Sequence, residues 1–207
     1  MMSSPHMIFI VSAPSGAGKT TLVRALLEQA HGIATSVSHT TRKQRPAEED
    51  GKHYYFVSHE HYHGMRETGA FVEYAEVFGH HYATSHQELN RLLEHSDVIL
   101  DIDWQGAAQV RQAFPQQVVS IFIMPPSLRT LQQRLEARAQ DDHAVIQHRM
   151  SAARAEISHY QEFDYLIVNE HFGDALASLV AIVQAERLRT SRQARQQMAL
   201  IKELLIG

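Results

Sequence analysis

Residues 8–12, Ile-Phe-Ile-Val-Ser, form an apolar run that leads directly into Ala13-Pro14-Ser15-Gly16-Ala17-Gly18-Lys19-Thr20-Thr21 and then into a helical pattern. A strand, a glycine-rich turn and a helix start, in that order, make a phosphate-binding loop. Gly16 and Gly18 let the backbone turn so that successive N–H groups face an anion at a helix N-terminus, where the helix dipole favours negative charge. On this reading Lys19 reaches the β- and γ-oxygens of a nucleoside triphosphate and the Thr20 hydroxyl ligates Mg2+. The common form of the motif has Gly where this chain has Ala13, and alanine fits there if the position keeps a negative φ. A glycine-rich turn before an ordinary helix is the alternative. The apolar strand leading into Gly-Lys-Thr argues against it.

Three further groups of residues carry chemistry of their own. Val98–Asp103 is an apolar strand ending in Asp101 and Asp103, carboxylates that can orient Mg2+ or its waters beside phosphates, Asp101 through a water. Aspartates at a strand end are also ordinary turn residues. Ser38-His39-Thr40-Thr41-Arg42-Lys43-Gln44-Arg45-Pro46 sets Arg42 and Arg45 close behind a hydroxyl cluster. Planar guanidinium groups grip phosphate oxygens in forked geometry, so the pair suits a second phosphate, with a basic surface turn as the alternative. Among 15 histidines, His59, His61 and His63 alternate. No carboxylate or second histidine pair completes an obvious ligand set, and solvated side chains are the better account.

The elements that must position these groups read as α/β. Met7–Ser12, Val98–Asp103, Val118–Met124 and Tyr165–Asn169 are near-continuous apolar strands, the pattern of a parallel sheet covered on both faces. Lys19–Gln29, Gln105–Ala113, Leu128–Arg138 and Asp174–Arg189 carry apolar residues at helical spacing. Two stretches interrupt the alternation. Residues 38–96 are rich in Tyr, His, Gly and charge, with strand-like pieces at His53–Val57, Phe71–Phe78 and His81–Thr84, and read as a β-rich insert. Residues 137–149 read as a short helical flap, with Arg138 and Arg149 flanking a polar stretch. The tail, 191–207, reads as an amphipathic helix with Met198, Ile201, Leu204 and Leu205 as its stripe, packing on the core or, second, on another subunit.

The 207 residues, 44% hydrophobic and 20% charged, suffice for one main core and a small inserted lobe. A formal charge of −4 gives no basic field for nucleic acid or a membrane surface. The absence of cysteine excludes disulfides and thiolate metal sites and suits a reducing cytoplasm. MMSSPH has no signal-peptide character, and Val118–Met124 is too short to span a bilayer, so a soluble cytoplasmic protein is expected.

Taken together, the phosphate loop, Val37-Ser38-His39-Thr40-Thr41-Arg42, Gly51-Lys52-His53-Tyr54-Tyr55-Phe56, Phe71-Val72-Glu73, Ile99-Leu100-Asp101-Ile102-Asp103-Trp104-Gln105-Gly106 and Leu166-Ile167-Val168-Asn169 resemble the guanylate kinases over nearly the whole chain. The resemblance implies a P-loop NTPase core (7–37, 97–136 and 150–190), an inserted GMP-binding lobe (38–96), a lid (137–149) and a C-terminal helix (191–207). It implies transfer of the γ-phosphoryl group of ATP to GMP, and to dGMP, with Mg2+ accompanying ATP. Ser38, Arg42, Arg45, Tyr54, Glu73, Tyr82 and Thr84 match GMP-site positions, with Asp101, Asp103 and Arg149 beside them. Residues 13–21 with Arg134, Arg138 and Asn169 match the ATP site, and Lys19, Arg42, Arg138 and Arg149 the catalytic set.

The chemistry of the base agrees with that implication, because guanine presents adjacent N1–H and N2–H donors that one carboxylate accepts together. Alone, Glu73 would be a polar position on an exposed strand face, and Asn169 a strand-end turn residue. The flap arginines would supply charge to a loose, in-line transfer while closure excludes water. The chain departs from the family where Gly79-His80-His81-Tyr82-Ala83 replaces Gly-Asn-Tyr-Tyr-Gly, and where Ala137 and Ala139 replace glycines beside the flap arginine. Two other functions compete: a guanylate-kinase-like interaction module without turnover, and a ribose-bisphosphate kinase. The intact loop and flap arginines argue against the first, and Glu73 with Ser38 against the second.

Overall fold

The computed structural model describes residues 6–137 and 143–206. Its main sheet has five parallel strands in the order β2-β7-β1-β8-β9, formed by β1 (Ile8–Ser12), β2 (Ile33–Thr35), β7 (Asp97–Asp101), β8 (Val118–Met124) and β9 (Tyr165–Val168). Successive side chains of a strand point to opposite faces, so a sheet covered on both sides must be apolar at every position. Phe9 and Val11 pack with α1 (Lys19–Gln29) and α7 (Phe172–Arg187), whereas Ile8 and Ile10 pack with α3 (His86–Leu93) and α4 (Trp104–Ala113). All five residues of β1 are buried. The central strand therefore anchors both layers, and the phosphate loop leaves from its C-terminal end.

A second sheet, ordered β4-β3-β6-β5, is made from β3 (His39–Thr40), β4 (Tyr55–Phe56), β5 (Phe71–Val77) and β6 (His80–Ser85), with α2 (His59–Glu67) on its back. Tyr62 of α2, Phe71 and Ala83 form its small core. Phe78 and Gly79 turn β5 into β6 with positive φ at both residues, 51° and 76°, the conformation that a two-residue hairpin requires. Apart from these two cores, α5 (Leu128–Glu136) packs on α6 (His143–Ser158) through Leu131, Leu135, Ile146, Met150 and Ala153.

Several sequence expectations are corrected. The main sheet has a fifth strand, β2, three residues long and only partly buried at the sheet edge, too short for a periodic signal. The insert contains two helices. His59–Glu67 was hidden by its composition, with Tyr62 its one buried residue. Both helices do carry start signals, since Ser58 and Ser85 accept hydrogen bonds from the N–H groups of His61 and Glu88. Of the residues expected to form the flap, 143–149 begin a longer helix, α6, which runs on to Ser158, and 138–142 lie outside the described residues. The tail forms two helices, α8 (Thr190–Gln196) and α9 (Met198–Ile206), rather than one packed on the core. Leu204, Leu205 and Ile206 are 73–83% exposed, because the apolar residues of α9 surround the helix instead of forming one stripe.

One polar cluster fastens the N-terminal strand, the β2 edge and α7 together. Buried Asp97 accepts hydrogen bonds from the Met7 N–H (2.8 Å) and Arg187 Nε (2.7 Å), while Arg187 also donates to the carbonyls of His31 and Gly32. Removing one partner of such a pair leaves buried charge and N–H groups unsatisfied. Asp97→Ala should cost about 3 kcal/mol and lower Tm by roughly 6–12 °C in calorimetry. A shift under about 2 °C would contradict this fastening role.

Candidate active site

The phosphate loop joins β1 to α1 with φ of +91° at Gly16 and +95° at Gly18, a region in which side chains are strained. Ala13 is not among the residues of positive φ, which accounts for its tolerance where Gly is usual. The back of the loop is held by its Ala17 carbonyl. Buried Asn169 donates to it from Nδ2 at 2.7 Å, and Arg134 donates to it at 3.5 Å and to the Asn169 carbonyl at 3.1 Å. Arg134 and Asn169 thus sit behind the loop and brace it. A β-carbon at position 18 would lie 2.5 Å from Asn169 Nδ2, so the close approach as well as φ requires glycine.

At the front, Lys19 Nζ lies 2.7 Å from Asp101 Oδ1 and donates to the Ile102 carbonyl at 3.0 Å, and the Thr20 hydroxyl donates to Asp101 Oδ2 at 3.2 Å. Asp103 caps α4 by accepting from the Gly106 N–H at 2.8 Å. Both aspartates line the same cleft as Ala13 to Gly16, Gly18 to Thr21, Ser38, Tyr54, Glu73 and Tyr82. Asp101 therefore faces the loop's cation and hydroxyl.

Glu73 is 3% exposed. A bulge between Phe71 and Glu73 breaks the regular alternation of β5, so that Phe71, Val72 and Glu73 are all buried, facing different neighbours. Its Oε1 accepts from the Thr84 hydroxyl at 2.6 Å, and a β-carbon at Gly106 would come within 2.5 Å of Oε2. Burial pushes its pKa up to about 7, helped by the negative charge of Asp103 and opposed by the Thr84 hydrogen bond and the charge of Lys19. Burial likewise drives Tyr54 up to about 12, which keeps its phenol a proton donor at neutral pH.

Arg42 is gripped by Glu48 in a two-pronged pair at 2.7 and 3.0 Å, and its guanidinium lies 5.4 Å from the Tyr54 ring and 5.7 Å from that of Phe56. The hydrogen bonds that Arg42 donates to Glu48 raise Arg42 above its ordinary pKa, and the same pairing lowers that of Glu48. Arg45 is exposed on the same turn, its N–H donating to Glu48. Arg149 of α6 reaches toward the lobe, 5.7 Å from the ring of Phe78. Arg138, with Ala139, lies outside the described residues.

Two participants escaped sequence reasoning. Glu48 has no helical or strand spacing to Arg42 that would mark it. Glu156 of α6 accepts from the Ser15 N–H at 3.2 Å and lines the cleft. Burial raises its pKa and Lys19 opposes the rise. In the sequence it is one polar residue within an ordinary helical pattern.

The raised pKa of Glu73 has a thermodynamic consequence. In the unfolded chain the carboxyl ionises near 4.5, whereas in the fold it holds its proton to about 7. The folded state therefore binds more protons between these values, and this contribution to stability is full below pH 4.5 and lost as pH rises through 7. Glu73→Gln, which keeps an acceptor for Thr84 and cannot ionise, should gain on the wild type by about 3 kcal/mol between pH 4 and 8. Urea unfolding of both proteins at the two pH values checks it. Parallel losses would contradict it.

Residues 6–186 match the protein-family model described as guanylate kinase. Guanylate kinases of Vibrio cholerae and Escherichia coli are each 52% identical to the chain over 201 residues, covering 96% of it and 97% of their own length. A crystal structure of guanylate kinase from Anaplasma phagocytophilum superposes with a TM-score of 0.75 at 37% identity, over 92% of this chain and 90% of that one. With a phosphate loop of the required geometry facing a buried carboxylate across one cleft, and likeness of this extent in both sequence and fold, the chain belongs to the guanylate kinase family.

Proposed function

We propose that the chain transfers the γ-phosphoryl group of ATP to GMP, and to dGMP, giving ADP and GDP. The observation that carries this reading is that the phosphate loop and the buried Glu73 carboxylate line a single cleft. A nucleoside triphosphate held by residues 13–21 then points its terminal phosphate toward a base-and-phosphate site in the second sheet.

Ionised Glu73 accepts N1–H and N2–H of guanine together, with Ser38 and Thr84 beside it, and these bonds offset the cost of holding its charge out of water. Adenine, with a bare acceptor at N1, leaves the carboxylate uncompensated. Arg42, Arg45, Tyr54 and Tyr82 hold the acceptor phosphate. Arg42 must exchange part of its pairing with Glu48 for phosphate oxygens, and Glu48 keeps it oriented until then. Lys19 exchanges Asp101 and the Ile102 carbonyl for the β- and γ-oxygens, and Glu156 yields the Ser15 N–H to phosphate. Arg149 and Arg138 act from the lid side on the transferring group, while Phe78 and α6 limit the entry of water. No general base is required, because positioning and charge neutralisation supply most of the barrier lowering in such transfers.

Thr20 and Asp101 are adjacent hard-oxygen donors beside Lys19, a set that fits Mg2+ directly or through water. Bound with ATP, the ion would neutralise charge on the phosphate oxygens. A cytoplasmic setting suits the nucleotide substrates and the cysteine-free sequence, and no helix among the described residues is long and apolar enough to cross a membrane. The exposed apolar residues of α9 are the surface through which copies of the chain would associate.

Glu73→Gln is expected to lower kcat/KM for GMP by an amount on the order of 2–4 kcal/mol, about 30- to 900-fold, because the amide accepts one guanine N–H and opposes the other. Turnover of AMP should change little. Steady-state kinetics with GMP, dGMP, AMP and UMP test this, and an undiminished preference for GMP over AMP in the variant would overturn the role of Glu73. The two arginines should separate. Arg149→Ala is expected chiefly to lower kcat, and Arg42→Ala also to raise KM for GMP. A rise in KM alone for Arg149→Ala would contradict that division.

A further inference from the structure

We propose that His59, His63 and His81 form a binding site for a divalent transition-metal ion of the zinc type on the back of the second sheet, away from the nucleotide cleft. The alternation of His59, His61 and His63 has the period of a strand, but these residues lie on helix α2. Positions four apart share a helix face, so His59 and His63 stand together and His61 points elsewhere. The third member is His81 on β6, and one ring nitrogen from each of the three lies within 4.8 Å of the others. Tetrahedral zinc with Zn–N bonds of 2.0–2.1 Å needs nitrogens about 3.3 Å apart, a closure within reach of small rotations of exposed rings. His59 and His63 are both exposed.

His81 is the fixed ligand of the set. Its N–H donates to the Thr41 hydroxyl at 3.0 Å, its carbonyl accepts from Thr40 and Thr41, and its ring stacks on buried Tyr62 at 4.8 Å. Partial burial, with the neighbouring His59, His63 and Arg66, lowers its pKa, the direction that favours the neutral imidazole a metal binds. Glu76, opposite His81 in the β5–β6 ladder, contributes negative charge that favours a cation, and Arg66 opposes it from α2. Imidazole nitrogens select zinc, copper or nickel over the hard cations that accompany nucleotides, so the site is chemically distinct from the donor pair Thr20 and Asp101. Alternate residues of a strand face opposite ways, so an ion here would tie α2 to the back of the strand whose other face presents Tyr82 to the cleft.

Calorimetric titration of the nucleotide-free full chain with zinc chloride, at neutral pH and in excess magnesium, tests the site. One saturable zinc per chain is expected, with a higher unfolding temperature when it is bound. His63→Ala and His81→Gln should each weaken binding by about 100-fold or more, and His61→Ala should leave it unchanged. If His81→Gln disturbs folding, as judged by its melting temperature without zinc, His59→Ala joins His63→Ala as the second ligand variant, both being exposed helix positions. Absence of saturable uptake, or uptake that His63→Ala leaves intact or His61→Ala weakens equally, would overturn the proposal.

Discussion

A carboxylate kept almost wholly out of water is the constraint around which the two sheets are arranged. Glu73 lies where β5 of the second sheet meets α4 of the core, against the backbone of Gly106 and in hydrogen-bonding contact with Thr84. Its burial is uncomfortable for a charge, and the fold accommodates it by letting the group keep its proton to about pH 7. That arrangement makes the fold tolerant of the neutral carboxyl and a base with two adjacent donors the natural partner of its ionised form. It also fixes the seam. Gln109 of α4 binds both the N–H and the carbonyl of Tyr74, extending the edge of β5 with a side-chain amide and setting Glu73 at a defined depth.

On the opposite wall, a layer of residues behind the phosphate loop serves a corresponding purpose. Asn169 leaves the end of β9 and Arg134 the end of α5, and both converge on the Ala17 carbonyl, so two separate elements of the core hold the loop. Asp101 and Asp103, at the end of β7 and the start of α4, face the loop's front and the lobe. The cleft is thus bounded by the C-terminal ends of parallel strands, where open α/β sheets place their ligands.

The legibility of these features in the sequence followed from how locally each is encoded. The strands β1 and β8 and the helix α1 were readable because double-sided burial demands continuous apolar runs and the glycine–lysine–threonine turn marks a helix start. Short β2, with no periodicity, and His-rich α2, with one buried residue, were not. Helix α9 carries apolar residues on every side, so its pattern suggested a stripe that the fold does not bury. Glu73 illustrates the harder limit: alternation placed it on an exposed strand face, and a bulge that no local residue pattern announces turned it inward. Glu48 and Glu156 are silent too: Glu48 meets Arg42 across an irregular turn that carries no helical or strand period, and Glu156 meets Ser15 only through tertiary packing.

The ionisation of Glu73 links the seam, the cleft and base selection, and it can be observed without turnover. With 13C-labelled glutamate, the carboxyl shift of this residue should titrate with a midpoint near 7 in the nucleotide-free protein. Saturation with GMP should move that midpoint down, toward or below the ordinary value of 4.5, as guanine donors stabilise the charge. A midpoint near 4.5 without nucleotide, or one that GMP leaves in place, would contradict the account.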